Sequence, residues 1–335
     1  MGGAPACSPG GSRGARGRRP GRDLVGNEPA RVGQADALST AADQSTAADQ
    51  SDGATRRVTW ERVLVDDTLV RYAACGSGPP TLFLHGWGLR PHAYARAIEA
   101  MATAGCRVYA PALPGFGGTR ELELSERSFA GYGRWLDRFA TAVLPAGQPF
   151  ALVAGHSFGG GVATAFAHAR PDRCGGLLLV NAVGSPVWAR YADELRTMVE
   201  RPLWDWGLNF GADVVRSPAA VRTFASLVGD VASNLVHNPL GLVRTSGIAR
   251  CADLVDEVAT VAGQGTPVVV AWSDRDRVMS RAAFDDLRRA AGVDGIVFEG
   301  SHAWLVADPA GFGELAIMAL AESGATLERP TLRSV

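Results

Sequence analysis

The sequence predicts an α/β fold: a mostly parallel, eight-stranded sheet with helices on both faces and an all-helical segment inserted late in the chain. Three observations carry the prediction. From residue 58 onward, short apolar runs too brief for helices alternate with longer stretches of helical spacing. Strands joined by helices in this way pair in parallel and are covered on both faces. Between about residues 185 and 260 the alternation stops, and helical patterns with many large aromatics follow without a clear strand.

The elements can be justified in order. Two alternating runs, Val58–Val65 and Thr68–Ala74, flank Asp66-Asp67 and read as an antiparallel hairpin. The run "TLFLHG" is a buried strand, and "PHAYARAIEAMATAG" is a helix stopped at Gly105. The cycle repeats with strand "CRVYAPA", helix Ser128–Leu144, strand "FALVAG", helix Phe158–Arg170 and strand "GGLLLVNA". After the insertion it resumes with "TPVVVAWSD", a helix over Arg281–Ala291, "GIVFEG" and a last helix from Pro309. Residues 58–184 and 261–335 therefore form the core, and residues 185–260 read as a helical cap over the sheet's carboxyl edge, where such sheets bind ligands. For most of the insert's aromatics (Trp188, Tyr191, Trp204, Trp206, Phe210) the plain reading is a core of its own.

Composition bounds the function. The chain has 335 residues, 47% hydrophobic and 20% charged, as expected of a globular protein. A net charge of -1 offers no electrostatic footprint for nucleic acid. Lysine is absent, which with abundant Ala and Gly reads as coding bias. Five scattered cysteines, none in a C-x-x-C pair, argue against a disulfide framework or a zinc site and for a reducing compartment. No apolar run approaches the ~18 residues of a membrane span. Residues 1–57 differ in kind: "GGSRGARGRRPGR" and the repeat "STAADQSTAADQS" cannot bury enough apolar surface to offset their ordering entropy. Arg18-Arg19 lacks the apolar region that a twin-arginine signal needs. A disordered extension, or an over-called start, on a cytoplasmic protein is expected.

The chemistry concentrates at "VAGHSFGGG". Ser157 lies between Gly155 and Gly159 at a strand-to-helix junction, where a tight turn strains the nucleophile and leaves no room for side chains two positions away. No lysine follows, so a Walker-type phosphate loop is excluded. A serine needs a base, itself oriented by a third group. Of six histidines, His302 in "FEGSHAWLVADP" follows a strand at the carboxyl edge and is the best base. His156 adjoins Ser157, but neighbours at a sharp elbow point apart, and His168 lies within a helix. The acid belongs in "VVVAWSDRDRVM", where Asp274 and Asp276 are both candidates; serine, acid and histidine then follow in the expected chain order. The oxyanion needs two N–H groups, and Phe158 and Trp87 of "FLHGWGLRP" can supply them. His85 is expected to hold that loop, with Gly86, by hydrogen bonds. No cofactor or metal is called for.

Four segments together resemble the α/β-hydrolase superfamily: "HGWG" (85–88), "LPGFGGT" (113–119), "GHSFGG" (155–160) and "SDRDRV" with "GSHAW" (273–278 and 300–304). The resemblance covers residues 58 to 325. It implies Ser157 as nucleophile, His302 as base, the Phe158 and Trp87 amides as oxyanion hole, and Asp276 as the acid, since the family's D-x-V pattern falls on Asp276-Arg277-Val278. Ala112 departs from the family, which commonly has Asp there. Serine at the elbow argues against the haloalkane dehalogenases and epoxide hydrolases, which use Asp. The "HGWG" loop and helical cap are similar to the pimeloyl-ester carboxylesterases and the meta-cleavage-product C–C hydrolases. Hydrolysis of a small-molecule carboxylic ester is the primary expectation. C–C hydrolysis, with Arg190, Arg196, Arg201 and Arg244 as unplaced carboxylate binders, is an alternative, and a non-catalytic ligand-binding protein of this fold is another.

Overall fold

The hairpin that opens the sheet closes through Asp66 and Asp67, both at positive φ (50° and 58°), the two-residue geometry that matches strand twist. It joins β1 (Thr59–Val65) to β2 (Thr68–Cys75). The computed structural model describes residues 56–186 and 218–325. Of the extension expected to be disordered, residues 1–57, all but Arg56 and Arg57 lie outside the described residues, as do the five aromatics from Trp188 to Phe210.

Six further strands complete the sheet: β3 (Pro80–Leu84), β4 (Arg107–Pro111), β5 (Leu152–His156), β6 (Leu177–Val180), β7 (Val268–Ser273) and β8 (Ile296–Phe298). Their order is β1-β2-β4-β3-β5-β6-β7-β8. β1 with β2 and β2 with β4 are antiparallel, and every other pair is parallel. The eight-stranded, mostly parallel sheet read from the sequence is the one found.

Strand residues alternate between two cores. Leu82, Leu84, Val153, Leu177 and Leu179 face one, and Phe83, Leu152, Ala154, Leu178 and Val180 face the other. The first core is closed by α2 (Phe129–Val143), α3 (Phe158–Ala169) and α7 (Arg281–Ala291), through residues such as Phe139, Phe166 and Leu287. The second is closed by α1 (Ala95–Thr103) and α9 (Pro309–Glu322), through Ile98, Met101 and Phe312. Each large side chain buried this fully is worth about 1.5–3 kcal/mol. Ser128, Ser280 and Asp308 cap α2, α7 and α9 by accepting from backbone amides.

Between β6 and β7 the described chain forms α4 (Pro218–His237), α5 (Pro239–Arg250) and α6 (Val255–Gly263). Asn238 separates the first two, because the proline after it disfavours helical backbone there. Val258 and Val261 of α6 are buried in the first core. The boundary expected at residue 260 falls within this helix. A short helix not expected from the sequence, α8 (Trp304–Ala307), precedes α9. Among the described residues, no helix is long and apolar enough to cross a membrane. Cys75, Cys106 and Cys174 are buried, and Cys251 is exposed.

Candidate active site

The turn from β5 into α3 places Ser157 at φ 55° and ψ -119°, a conformation that costs a non-glycine residue about 1–3 kcal/mol. Surrounding backbone bonds hold it there. Ser157 N donates to Val180 O at 3.0 Å, and Ser157 O accepts from Gly160 N at 2.9 Å and Val183 N at 3.0 Å. The glycines are demanded by contact. A Cβ on Gly155 would lie 2.3 Å from Gly159 O, and one on Gly159 would lie 2.3 Å from Leu84 O. On Gly160 it would meet Ala182 Cβ at 2.4 Å, so that glycine serves the close approach of α3 to the chain just past β6.

His302 and Asp276 come together in the loops after β8 and β7. His302 Nδ1 donates to Asp276 Oδ2 at 2.7 Å. The other carboxylate oxygen accepts from Val278 N at 2.7 Å and Met279 N at 2.8 Å. In a neutral ring, donation from Nδ1 leaves Nε2 as the acceptor. Asp274 goes elsewhere: it accepts from Gly300 N at 2.9 Å and lies 3.9 Å from Arg275. Among the described residues neither Ser157 Oγ nor His302 Nε2 makes a hydrogen bond. Contacts of this kind are commonly long before substrate is bound.

The loop after β3 abuts the elbow, since a Cβ on Gly86 would lie 3.4 Å from Ser157 Cβ. Fully buried His85 bridges two loops: Nδ1 donates to Gly86 O at 2.9 Å, and Nε2 accepts from Leu113 N at 3.0 Å. Burial lowers its pKa to about 4. Trp87, Ser157, Phe158, Val278, Met279 and, from α5, Arg250 line a cavity of about 30 Å³. Ala112, where an Asp was expected by resemblance, is buried and accepts from Thr119 Oγ1 through its carbonyl at 2.8 Å. Of the arginines named as carboxylate binders, Arg190, Arg196 and Arg201 lie outside the described residues, and Arg244 pairs with Glu121 at 3.3 Å.

Three residues that sequence reasoning passed over join these parts. His156 points away from Ser157, as expected, and its Nε2 donates to the carbonyl of His302 at 2.8 Å. Its Nδ1 accepts from Tyr94 Oη at 2.9 Å, and Tyr94 Oη accepts from Gly86 N at 3.1 Å. Burial, reinforced by the neighbouring His302, pushes the His156 pKa well below its ordinary value. Asn181 Nδ2 also donates to the His302 carbonyl at 3.0 Å, while its Oδ1 accepts from Ser273 N at 2.9 Å. A polar side chain closing the apolar run "LLLVN" was the available signal for Asn181.

Comparison with known proteins fits this arrangement. A model of the alpha/beta hydrolase family matches residues 81–315. The pimeloyl-[acyl-carrier protein] methyl ester esterase of Aromatoleum aromaticum is 31% identical over 220 residues, 63% of this chain and 76% of that protein. Among solved structures, a membrane phospholipase A has a TM-score of 0.63 at 20% identity, covering 85% of this chain and 93% of its own. The enol-lactonase of Burkholderia xenovorans has a TM-score of 0.61 at 20% identity, covering 78% and 100%. At such identities these structural likenesses speak for the fold alone.

Proposed function

The chain belongs to the alpha/beta hydrolase family, and we propose that within it the protein is a serine esterase that cleaves small carboxylic esters through an acyl-enzyme. The observation that carries this reading is the Asp276–His302 hydrogen bond, which leaves Nε2 as the acceptor on a ring whose residue is tied to the strained elbow through His156. His302 Nε2 takes the Ser157 proton as Oγ attacks the ester carbonyl, and Asp276 stabilises the imidazolium. The Trp87 and Phe158 amides receive the oxyanion. Collapse breaks the C–O bond, and the alkoxide leaves with the proton from His302. Water, deprotonated by His302, then attacks the acyl-enzyme; the acid leaves, and the proton returns to Ser157.

The substrate's leaving side is read from kinship, which favours a small alcohol such as methanol. The Aromatoleum relative is named for a methyl ester. The helices inserted after β6 would act as the cap that sets the acyl group. Hydrolysis of p-nitrophenyl acetate and butyrate tests the reading: Ser157→Ala is expected to lose activity by about 10⁴-fold or more. A Ser157→Ala protein as fast as the parent overturns it, as does failure of a fluorophosphonate to label Ser157.

A further inference from the structure

The oxyanion loop, residues 86–90, is held from two sides. The core holds Gly86, through Tyr94 and His85. The inserted helices hold the next residues. Trp87 Nε1 donates to Thr245 Oγ1 at 2.9 Å and to Leu242 O at 3.2 Å, both on α5. Asn234 Nδ2 on α4 donates to Gly88 O at 2.8 Å. Arg90 pairs with Asp230, whose carboxylate is fully buried. Asp230 and Asn234, four residues apart, share one face of α4, and Asn238 follows just past its end. Asn234 Oδ1 also accepts from Gly117 N at 3.0 Å, and Asn238 Nδ2 donates to Gly115 O at 3.2 Å. The seam thus reaches two loops, of which only one carries Trp87.

An adhesive seam needs only apolar contact. This one spends buried polar groups, and Asn234 is buried with both ends of its amide satisfied. Removing Asn234 Nδ2 would leave the buried Gly88 carbonyl without that donor, and removing Thr245 Oγ1 would leave the Trp87 indole on the longer bond to Leu242 O. The bonds fall on the residues flanking the Trp87 amide, the group assigned to the oxyanion. We propose that Asn234 and Thr245 are positioning residues: through Gly88 O and the Trp87 indole, the inserted helices fix the Trp87 amide at the distance the oxyanion requires. Shifts on an ångström scale at such a donor are costly to rate. Whatever the insertion binds is then sensed directly by the oxyanion loop. The kinetic side rests on the esterase reading; the structural side does not.

The test uses three substitutions on the full chain. Asn234→Asp keeps the acceptor for Gly117 N but loses the donor to Gly88 O. Thr245→Val is nearly isosteric and removes an acceptor of the Trp87 indole. Asn238→Asp keeps the α5 cap, which accepts from Gly241 N at 3.0 Å, and loses only the bond to Gly115. Hydrogen exchange of peptides covering residues 85–93 is expected to quicken about tenfold in the first two and to stay at the parent rate in the third. For p-nitrophenyl butyrate, kcat and kcat/KM should fall together by about tenfold in the first two, with KM within about twofold. Parental exchange over 85–93 in both Asn234→Asp and Thr245→Val overturns the proposal. Equal quickening in Asn238→Asp overturns it too, as does faster exchange without loss of kcat. If the parent hydrolyses no ester, the esterase reading fails, and exchange alone still decides whether the seam holds the loop.

Discussion

His156 and His302 lie with ring centroids 4.8 Å apart, yet the two regions they belong to are built for opposite ends. In the elbow, His156 is fully buried and both its nitrogens are spent, one on Tyr94 and one on the His302 carbonyl. In the loop after β8, His302 has one nitrogen on Asp276 and the other uncommitted among the described residues. The ring beside the serine in sequence is spent on scaffold, and the ring 146 positions later keeps a nitrogen for the proton transfer proposed above. Adjacency in sequence therefore says little about use; unspent hydrogen-bonding capacity says more.

The largest test breaks the working side. Asp276→Asn keeps the shape of the carboxylate but offers the His302 ring an amide that can stabilise the wrong tautomer. Loss of kcat on the order of 10⁴-fold is expected, read as steady-state ester hydrolysis in a protein whose thermal melt stays close to the parent's. A fall of less than about tenfold would erase the contrast between the two histidines.

The scaffold side predicts a pH dependence of stability. His85 and His156 are held neutral by burial, with the His85 pKa near 4 against an ordinary value of 6.5. Below pH 6.5 the unfolded chain takes up protons that the fold does not, so stability is full above that point and falls as pH drops towards 4. His85 alone accounts for on the order of 3 kcal/mol at pH 4. Urea unfolding at pH 7 and pH 4 should show the loss, and a His85→Asn variant should show a shallower one. An unchanged slope in that variant would remove His85 from the scaffold.

Much of this was readable from the chain because its physics is local. The strands appear as apolar runs since both faces are buried, as Leu82 and Phe83 illustrate by facing different cores. The elbow was legible because Gly155 and Gly159 face backbone, where no other residue fits. Asp274 and Asp276 could not be separated by composition, because their difference lies in which amides each meets: Gly300 for one, Val278 and Met279 for the other. Tyr94 was invisible for the same reason. It sits in a helical turn before α1, and its partners Gly86 and His156 are 8 and 62 positions away.

Tyr94→Phe sharpens the comparison from the scaffold side with a smaller effect. The hydroxyl joins the oxyanion loop to the elbow, and its removal leaves a buried amide and a buried ring nitrogen unpaired. A loss of about 2 kcal/mol of unfolding free energy is expected, at the upper part of the usual range for such groups, measured by urea unfolding. Stability equal to the parent's would mean that the Gly86–Tyr94–His156 chain contributes nothing to the fold.

The smallest effect separates the two aspartates. Asp274 is half-exposed and, through one oxygen, accepts from Gly300 N in the loop leading to His302. Asparagine keeps a carbonyl for that amide and gives up only a charge that solvent already screens, so the cost should stay under about 1 kcal/mol. Ester hydrolysis by Asp274→Asn is expected within about twofold of the parent, against about 10⁴-fold for Asp276→Asn. Equal losses in the two variants would mean that the loop as a whole carries the charge that steadies His302. Unequal losses would place that duty on the carboxylate whose remaining oxygen is already held by two amides and cannot turn away from the ring.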